Sequence, residues 1–299
     1  MEKKEGISMS ATTPLRFDIK TAPQFVDYAD MLRVWQEADQ LPGIGGAWLF
    51  DHFMPLGPDQ TGPIFEGWTL LSAFAAQTER LRVGLMVTGN TYRHPAVLAN
   101  MGATVDHISA GRLDFGIGAG WFEIEHVAYG VPFYTAGQRI RRLGEACEVI
   151  RRLWTETAPD FEGRYYHLAH AYCEPKPVQK PYPPFVIGGG GEQLTLRVVA
   201  RYADIWNLPG GDVETFRRKS SVLDEHCVAI GRNPAGIIRS VQLTLDQETP
   251  ANTRRQAQTY IEAGAGHVVL NLRPPYRAQI VHRAVEEIVE PLTADRRQE

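Results

Sequence analysis

The sequence predicts an α/β fold of the (β/α)8, or TIM, barrel type with an insertion before strand five. Apolar segments of strand length alternate with helical segments along nearly the whole chain, and eight such units can be counted. A length of 299 residues suits one barrel, although a prior of about 150 residues per domain would also allow two. We therefore expect a flexible N-terminal arm over residues 1–14 and a single barrel domain over residues 15–299. An open doubly wound sheet is the alternative, but it usually has fewer strands.

Eight apolar segments are the predicted barrel strands, because runs of this length are typical of parallel strands buried on both faces. They cover residues 15–19, 46–50, 81–87, 112–118, 185–187, 203–208, 237–245 and 267–272. Residues 156–183 break the alternation with prolines, tyrosines and histidines. We interpret this stretch as an inserted loop or hairpin.

The predicted helices carry apolar residues at helical spacing. The first covers residues 24–40. The third begins at Pro95, where the missing N–H of proline costs nothing, and ends near Gly111, which suits a C-terminal cap. Further helices are predicted at residues 68–77, 136–154, 213–230, 250–263 and 278–292, with a short helix before residue 136 and another after residue 191.

Four consecutive glycines, Gly188, Gly189, Gly190 and Gly191, connect the fifth predicted strand to an amphipathic helix. Glycine has no Cβ to block the approach of a ligand or to forbid positive φ. Backbone N–H groups at the start of a helix form a positive end at which a phosphate can bind. The run therefore predicts an anion or cofactor site, and a tight turn without a ligand is the alternative.

Composition excludes several classes of protein. The net charge of −4 disfavours a nucleic-acid partner. No apolar run approaches the roughly 18 residues of a membrane span, and the N-terminal segment lacks the apolar stretch of a secretory signal, so we expect a cytoplasmic protein without a membrane partner. The 3 cysteines are widely spaced and fit neither a disulfide framework nor a zinc site. We expect buried free thiols, no metal site and no Ser–His–Asp hydrolase.

A barrel carries its chemistry at the C-terminal ends of its strands. Asp51 and His52 follow the second strand, and a histidine in such a place can donate or accept a proton near neutral pH. Neighbouring residues of a strand point in different directions, so Asp51 need not orient His52. A hydrogen-bonded structural role is the alternative for either residue. Other strand ends carry residues 86–90, residues 118–121 and Asn207.

Three glycines of the fourth strand, Gly116, Gly118 and Gly120, resemble half of a dinucleotide-binding fingerprint. The spacing does not complete GxGxxG, and no acidic residue follows about 20 positions later, so we reject a Rossmann site. In a barrel, these glycines would let a flat ring or its polar chain lie close to the backbone of strand four.

Five segments carry a resemblance to a known family. They are LFDHF at 49–53, the segment at 82–113, FGIGAGWFEIEH at 115–126, the segment at 173–207 with its glycine run, and VLDEHCVAIGR at 222–232. Together they resemble the luciferase-like monooxygenase superfamily, most closely its branch of coenzyme F420-dependent oxidoreductases. The resemblance extends from the first strand to about residue 240.

The resemblance implies a flavin or 5-deazaflavin bound at the C-terminal ends of the strands. It places His52 beside the ring, with Asp51 next to it, as the catalytic pair. It also implies a bulge with a non-prolyl cis peptide at the end of strand three. The residues that it assigns to the cofactor are Leu85, Met86, Val87 and Thr88 under the ring, Gly118, Ala119 and Gly120 along the polar chain, and Gly188 to Gly191 around the phosphate.

This chain departs from some members of the superfamily. Certain members that act on sugar phosphates have a glutamate directly after the glycines of strand four, where this chain has Trp121. Their catalytic acid is therefore not carried over, and a sugar-phosphate substrate is disfavoured. Glu123 and Glu125 lie close by, but we expect them on the exposed face of a helix.

The substrate pocket is expected between the loop at residues 55–67 and the insertion around residues 161–172. The aromatic side chains of Trp68, Trp121 and Phe122 suggest an apolar pocket, and core packing is the alternative for each. The negative glutamyl tail of F420 calls for cations near the mouth. The candidates are Arg93, Arg197 and Arg201, for which a surface salt bridge is the alternative.

We expect an F420-dependent oxidoreductase that transfers a hydride between the deazaflavin and a small organic substrate, with His52 as proton donor or acceptor. The alternative is an FMN-dependent luciferase-like monooxygenase that works with a separate flavin reductase. A flavin-binding scaffold without chemistry is the third hypothesis. The expected partners are a small-molecule substrate, a flavin or F420 reductase that supplies reduced cofactor, and a second copy of the chain in a homodimer.

Overall fold

The computed structural model of this protein describes residues 15–294 and confirms the closed (β/α)8 barrel. Its parallel strands are β1 (Arg16–Thr21), β2 (Gly46–Leu49), β3 (Arg82–Leu85), β4 (Leu113–Gly118), β5 (Phe185–Gly188), β6 (Ile205–Leu208), β7 (Ile238–Thr244) and β8 (His267–Leu272). β1 pairs with both β2 and β8, and β3 pairs with β4, so the ring is closed. The predicted arm, residues 1–14, and residues 295–299 lie outside the described part.

Helices surround the strands. They are α1 (Tyr28–Asp39), α2 (Gly67–Ala75), α3 (Pro95–Ile108), α4 (Glu123–Ala128), α5 (Ala136–Thr155), α6 (Thr195–Tyr202), α7 (Val213–Ala229), α8 (Pro250–Glu262), α9 (Ile280–Ala284) and α10 (Glu290–Ala294). A π-helical turn, Val285–Val289, joins α9 to α10, and a 3-10 turn, Pro234–Gly236, precedes β7. None of the helices within residues 15–294 is long and apolar enough to cross a membrane.

Two predicted helix starts differ from the structure for local reasons, and one predicted end is confirmed. α1 does not begin at residue 24, because the backbone of Phe25 has a φ of 53° and leaves the helical region. α3 ends at Ile108, near Gly111 as predicted, and the N–H of Gly111 closes its last turn by donating to the carbonyl of Asp106. α6 begins at Thr195, because a turn separates it from the glycine run.

The insertion before strand five was predicted to be a loop or a hairpin, and the structure shows a small hairpin. The strand Phe161–Glu162 pairs in antiparallel fashion with His167–Leu168. The Glu145 carboxylate, on α5, accepts hydrogen bonds from the backbone N–H groups of Arg164 at 3.0 Å and Tyr165 at 2.8 Å. These contacts fasten the hairpin to the outside of the barrel.

The inside of the barrel is filled in layers, because alternate side chains of each strand point inward. Near the N-terminal ends of the strands, the carboxylate of Asp18 accepts hydrogen bonds from Arg16 at 2.8 Å and from the Trp48 indole at 2.7 Å, and it lies 2.8 Å from His267 Nε2. Arg16 also donates to Asp114 at 2.7 Å. Above this polar cluster lies an apolar layer formed by Trp48, Met86, Val186, Ile205 and Val269. The space above that layer is open.

Burial disfavours the charge on Asp18, but the positive charge of Arg16 and the hydrogen bond with His267 outweigh that cost and hold the pKa of Asp18 well below its ordinary value. A carboxyl whose pKa falls on folding stabilises the fold above its unfolded pKa of about 3.9 and loses that contribution as the pH falls.

We expect Asp18→Asn to lower the free energy of unfolding by about 1–3 kcal/mol at pH 7, because Arg16 loses one of its two counter-charges and the buried donors around Asp18 lose an acceptor. The difference from the unchanged protein should shrink as the pH falls below about 4. Denaturant unfolding monitored by circular dichroism over a pH series measures both effects. Asp59→Asn, at an exposed loop position, is the control and should change stability by less than about 0.5 kcal/mol. A similar loss in both variants would contradict the assignment.

Strand three contains the predicted bulge. Gly84 pairs with Asp114 and Thr88 pairs with Ile117, so four steps along one strand match three along the other. The non-prolyl cis peptide lies between Met86 and Val87, within the predicted stretch. The glycines of β4 make room for this bulge: a Cβ on Gly116 would lie 1.8 Å from the carbonyl oxygen of Leu85, and a Cβ on Gly118 would lie 2.7 Å from Val87.

Gly116→Ala should therefore lower stability by at least about 1–3 kcal/mol, since the clash is with backbone that cannot rotate away. Thermal unfolding followed by circular dichroism measures the loss. Gly236→Ala is the matched control, because a Cβ there meets no atom within 4 Å. A Gly116→Ala variant with an unchanged melting temperature would show that the bulge does not need this glycine.

Candidate active site

A cavity of about 610 Å³ opens above the apolar layer, at the C-terminal ends of the strands. This volume falls in the range of about 300–1,000 Å³ that small-molecule and cofactor sites occupy. The structure brings most of the predicted site residues to its wall, namely Asp51, His52, Met86, Val87, Gly118, Ala119, Gly120, Gly188 and Gly189. Leu85, Thr88, Gly190 and Gly191 do not line it. Leu85 is buried in the main core, Thr88 is also buried, and Gly191 is exposed.

His52 is held by a carboxylate, but not by the one next to it in sequence. Its Nδ1 lies 3.0 Å from Oε2 of Glu125, and its side chain is 10% exposed. An ionised carboxylate only accepts hydrogen bonds, so Nδ1 carries the hydrogen. Nε2 makes no hydrogen bond to any residue within 15–294, and the ring borders the cavity. The arrangement leaves Nε2 to exchange a proton with a bound molecule.

The expectation that Glu125 lies on an exposed helix face is wrong, because its side chain is fully buried. Besides His52, the carboxylate accepts hydrogen bonds from the hydroxyl of Tyr92 and from the backbone N–H groups of Phe53 and Met54, the last at 3.1 Å. Burial opposes its charge, but these donors outweigh that cost and keep the pKa of Glu125 below its ordinary value. Burial and the neighbouring carboxylate together raise the pKa of Tyr92.

A signal for Glu125 was present in the sequence. On α4, Glu125 and His126 lie three and four residues after Phe122, and all three are buried, whereas Glu123 and Ile124 are exposed. Residues at this spacing share one face of a helix. The acidic side chain on the face of Phe122 was therefore a candidate for an inward position.

Asp51, in the cavity wall, makes a separate ion pair. Its two carboxylate oxygens accept hydrogen bonds from Arg93 at 2.6 and 3.0 Å, and one of them also accepts from the Thr88 hydroxyl. Arg93 in turn contacts Glu66, the N-cap of α2. Burial opposes the charge on Arg93, but the carboxylates of Asp51 and Glu66 outweigh it and raise the pKa of the guanidinium. Arg93 is thus committed to this pair, and not free at the mouth as the sequence analysis expected.

The glycine run forms a turn at the same end of the barrel as His52. Gly189 has a φ of 131°, a conformation that favours glycine, and its N–H donates to the carbonyl of Asn207. Thr195 lies against Gly189 and also lines the cavity. The ammonium of Lys219, from α7, donates to the carbonyl of Gly190. The run therefore presents its first two residues to the cavity and has a lysine behind the third.

The walls of the cavity are largely apolar. Leu56, from the predicted loop, contributes to them, and Trp121 stands at the mouth with 63% of its surface exposed. Phe122 is buried with its ring centroid 5.8 Å from that of His52, and Trp68 is a core residue whose indole donates to Thr88. The insertion does not wall this cavity, contrary to expectation. Its hairpin instead lines a separate outer groove with Arg197 and Arg201.

No group of three or more His, Cys, Asp or Glu side chains within residues 15–294 is arranged to hold a metal ion. Cys147, Cys173 and Cys227 are free and buried, which confirms the prediction of buried thiols. Burial raises the pKa of the Cys147 thiol, so this residue is unreactive.

The barrel carries its candidate site in a cavity at the C-terminal ends of the strands. A sequence model of the luciferase-like monooxygenase family matches residues 8–299, and the chain belongs to that family. Curated relatives of the chain are named as F420-dependent and FMNH(2)-dependent enzymes.

Two curated relatives and one solved structure illustrate this similarity. An F420-dependent glucose-6-phosphate dehydrogenase from Kineococcus radiotolerans is 34% identical over 71% of this chain and 64% of its own length. An FMNH(2)-dependent dimethylsulfone monooxygenase from Pseudomonas putida is 29% identical over 59% of this chain and 50% of its own length. An F420-dependent secondary alcohol dehydrogenase, solved with an F420–acetone adduct, has a TM-score of 0.82 at 17% identity and covers 94% of this chain and 99% of its own. The chain spans between half and two thirds of the length of the curated relatives that it matches.

Glu125→Gln should change which nitrogen of His52 carries the hydrogen. The carboxylate requires Nδ1–H, whereas a glutamine can present either its oxygen or its NH₂ group. Nitrogen NMR of histidine-labelled protein, with the His52 signal assigned by its loss in His52→Asn, should show the Nδ1–H form in the unchanged protein and a mixture in Glu125→Gln. Glu123→Gln, two residues away on the exposed face of α4, should leave the signal unchanged. An Nε2–H form in the unchanged protein would refute the assignment.

Proposed function

We propose that this chain is a coenzyme F420-dependent oxidoreductase that transfers a hydride between the deazaflavin and a small organic substrate. The observation that carries the proposal is the pairing of His52 with the buried Glu125 at the cavity wall. Hydride transfer to or from a carbonyl or alcohol also requires a proton to be delivered or removed, and a histidine oriented by a carboxylate is suited to that task. The similarity to F420-dependent relatives supports the choice of cofactor.

The residues of the cavity fit a flat ring with an anionic chain. Met86 and Val87 present the bulge of strand three to the cavity, and they would support the ring. The backbone of Gly118 to Gly120 and of Gly188 to Gly189 lacks side chains that would block the polar chain. We propose that the phosphate lies at the turn of Gly190 and Gly191, where Lys219 supplies a positive charge. When bound, the cofactor supplies the hydride chemistry.

His52 then holds or moves the proton at Nε2, while Glu125 fixes the orientation and the tautomer of the ring. From the sequence, Asp51 was expected in the catalytic pair. We propose a positioning role for it, because both of its oxygens bind Arg93 and its hydrogen bond with Thr88 joins the end of β2 to the bulge. Trp121 and Leu56 both line the cavity together with His52 and would limit the access of water to the bound substrate.

An FMN-dependent monooxygenase that works with a separate reductase is the second candidate. It is favoured by the similarity to an FMNH(2)-dependent monooxygenase and by the apolar cavity wall, which would suit a hydrophobic substrate. A reductase would supply reduced cofactor to the monooxygenase, and to the oxidoreductase in the direction that reduces its substrate, and a homodimer is the assembly that we propose.

Titration of the purified protein with F420 and, separately, with FMN distinguishes the two candidates. We expect micromolar binding of F420, observed as quenching of tryptophan fluorescence, since Trp121 borders the cavity. FMN should bind at least about tenfold more weakly, a difference of about 1.4 kcal/mol. Trp121→Phe identifies the part of the signal that arises in the cavity. Micromolar binding of FMN alone would overturn the first choice in favour of the second.

His52→Asn should retain F420 affinity but lower turnover by about 10²- to 10⁴-fold, because the ring that exchanges the proton is gone. Turnover is measured as loss of the absorbance of oxidised F420 with a panel of secondary alcohols, or as its recovery with ketones and aldehydes. His107→Asn is the control, since this exposed histidine on α3 only contacts the carbonyl of Lys176. Equal turnover in His52→Asn and the unchanged protein would remove His52 from the mechanism.

A further inference from the structure

Lys20 places a positive charge in the cavity wall, and no carboxylate within residues 15–294 neutralises it. It lies near the C-terminal end of β1 and follows Arg16 and Asp18 at alternate positions, so all three side chains point into the barrel. Its ammonium donates a hydrogen bond to Oε1 of Gln242 at 2.8 Å. Lys20 was not among the predicted site residues, because strand one was predicted to end at Ile19. Its alternation with Arg16 and Asp18 is nevertheless visible in the sequence.

A chain of amide hydrogen bonds fixes the partner of Lys20. The NH₂ group of Gln242 donates to Oδ1 of Asn207 at 2.6 Å, and the NH₂ group of Asn207 donates to the Ser240 hydroxyl at 2.9 Å. Gln242 must therefore turn its oxygen toward Lys20. An ammonium has three hydrogens to donate, and Gln242 takes one. The other two have no partner among the described residues, and Lys20, Gln242 and Asn207 all border the cavity.

The pKa of Lys20 also indicates that no carboxylate in the described part of the chain compensates its charge. Burial lowers the pKa of its ammonium to about 8, and no neighbouring carboxylate offsets this. Asp51, the carboxylate that lines the same cavity, is already engaged by Arg93, and Asp18, two positions earlier on β1, is engaged by Arg16. A ligand with a negative charge would restore the balance and use the two remaining donors.

The position of Lys20 separates it from the segments assigned to the cofactor. In the ring of strands, β1 stands opposite β5, which carries the glycine run, and β7 with Gln242 lies two strands from β1. Arg139, the cavity cation on the other side, is already bound to the carbonyl of Gly120 at 3.0 Å. Lys20 therefore faces the part of the cavity that remains for a substrate.

We propose that Lys20, held by Gln242, binds the carboxylate of a small substrate whose remaining part is apolar. One uncompensated positive charge matches one negative charge, which favours a carboxylate over a doubly charged phosphate. The walls formed by Phe50 and Trp121 suit an apolar remainder, and the Phe50 ring lies 6.0 Å from the ammonium. That the bound carboxylate belongs to a substrate rests on the proposed function, but the anion site itself can be tested without cofactor or turnover.

Isothermal titration calorimetry of the full chain, without cofactor, compares benzoate with benzamide, its uncharged counterpart of nearly the same shape. We expect benzoate to bind at least about tenfold more tightly, because a hydrogen bond to a charged group is lost with benzamide. Lys20→Met should remove this preference. Lys180→Met, at an exposed lysine that contacts only the carbonyl of Pro177, should retain it. Equal affinities for the two compounds, no binding of either, or a preference that survives Lys20→Met would overturn the proposal.

A second variant keeps the test sharp if Lys20→Met unfolds. Gln242→Glu leaves Lys20 in place but gives it an internal carboxylate, so the preference for benzoate should fall about tenfold or more.

A third measurement identifies the source of the anion. F420 and FMN affinities should change by less than about threefold in Lys20→Met; a tenfold loss of cofactor affinity with the benzoate preference intact would assign the lysine to the cofactor and refute the proposal. Failure of the unchanged protein to bind F420, with the benzoate preference intact, would instead overturn the proposed function and support the anion site.

Discussion

The buried carboxylate of Glu125 is the interaction on which the geometry of the site depends. It joins α4 to the loop after β2 by accepting hydrogen bonds from His52, Tyr92 and two backbone N–H groups. A buried carboxylate is costly unless its oxygens are fully used, so these donors and the position of α4 determine one another. The same contact sets the tautomer of His52. The buried carboxylate of Glu125 thereby orients the imidazole of His52, which faces the cavity.

The strands beneath this contact form a scaffold with a polar base, an apolar middle and an open top. The cluster around Asp18 joins β1, β2 and β8 at the bottom, and the apolar layer above it ends at Met86. The bulge that carries Met86 and Val87 fits only because strands four and five have glycines opposite it. Those glycines, which the sequence analysis interpreted as room for a cofactor, first make room for the protein's own strand three.

Much of the site followed from local patterns. The position of His52 after β2 and the inserted hairpin agree with expectation, since each is tied to a strand end or to a break in periodicity. The cis peptide within residues 85–87 agrees with what the family resemblance implied. The assignments that failed concern side chains whose surroundings come from elsewhere in the chain. Arg93 was expected at the mouth but pairs with Asp51, and the insertion was expected at the cavity but packs outside α5.

By itself the sequence determined the order of strands and helices, because periodicity and the placement of proline and glycine are local properties. It also determined that His52 and the glycine segments share one end of the barrel, because parallel strands bring their C-terminal ends to the same edge. Only the tertiary structure decided that Glu125 holds His52 and that Gln242 is the partner of Lys20. These contacts join residues 73 and 222 positions apart, and their distances depend on how the helices pack and how the ring of strands closes.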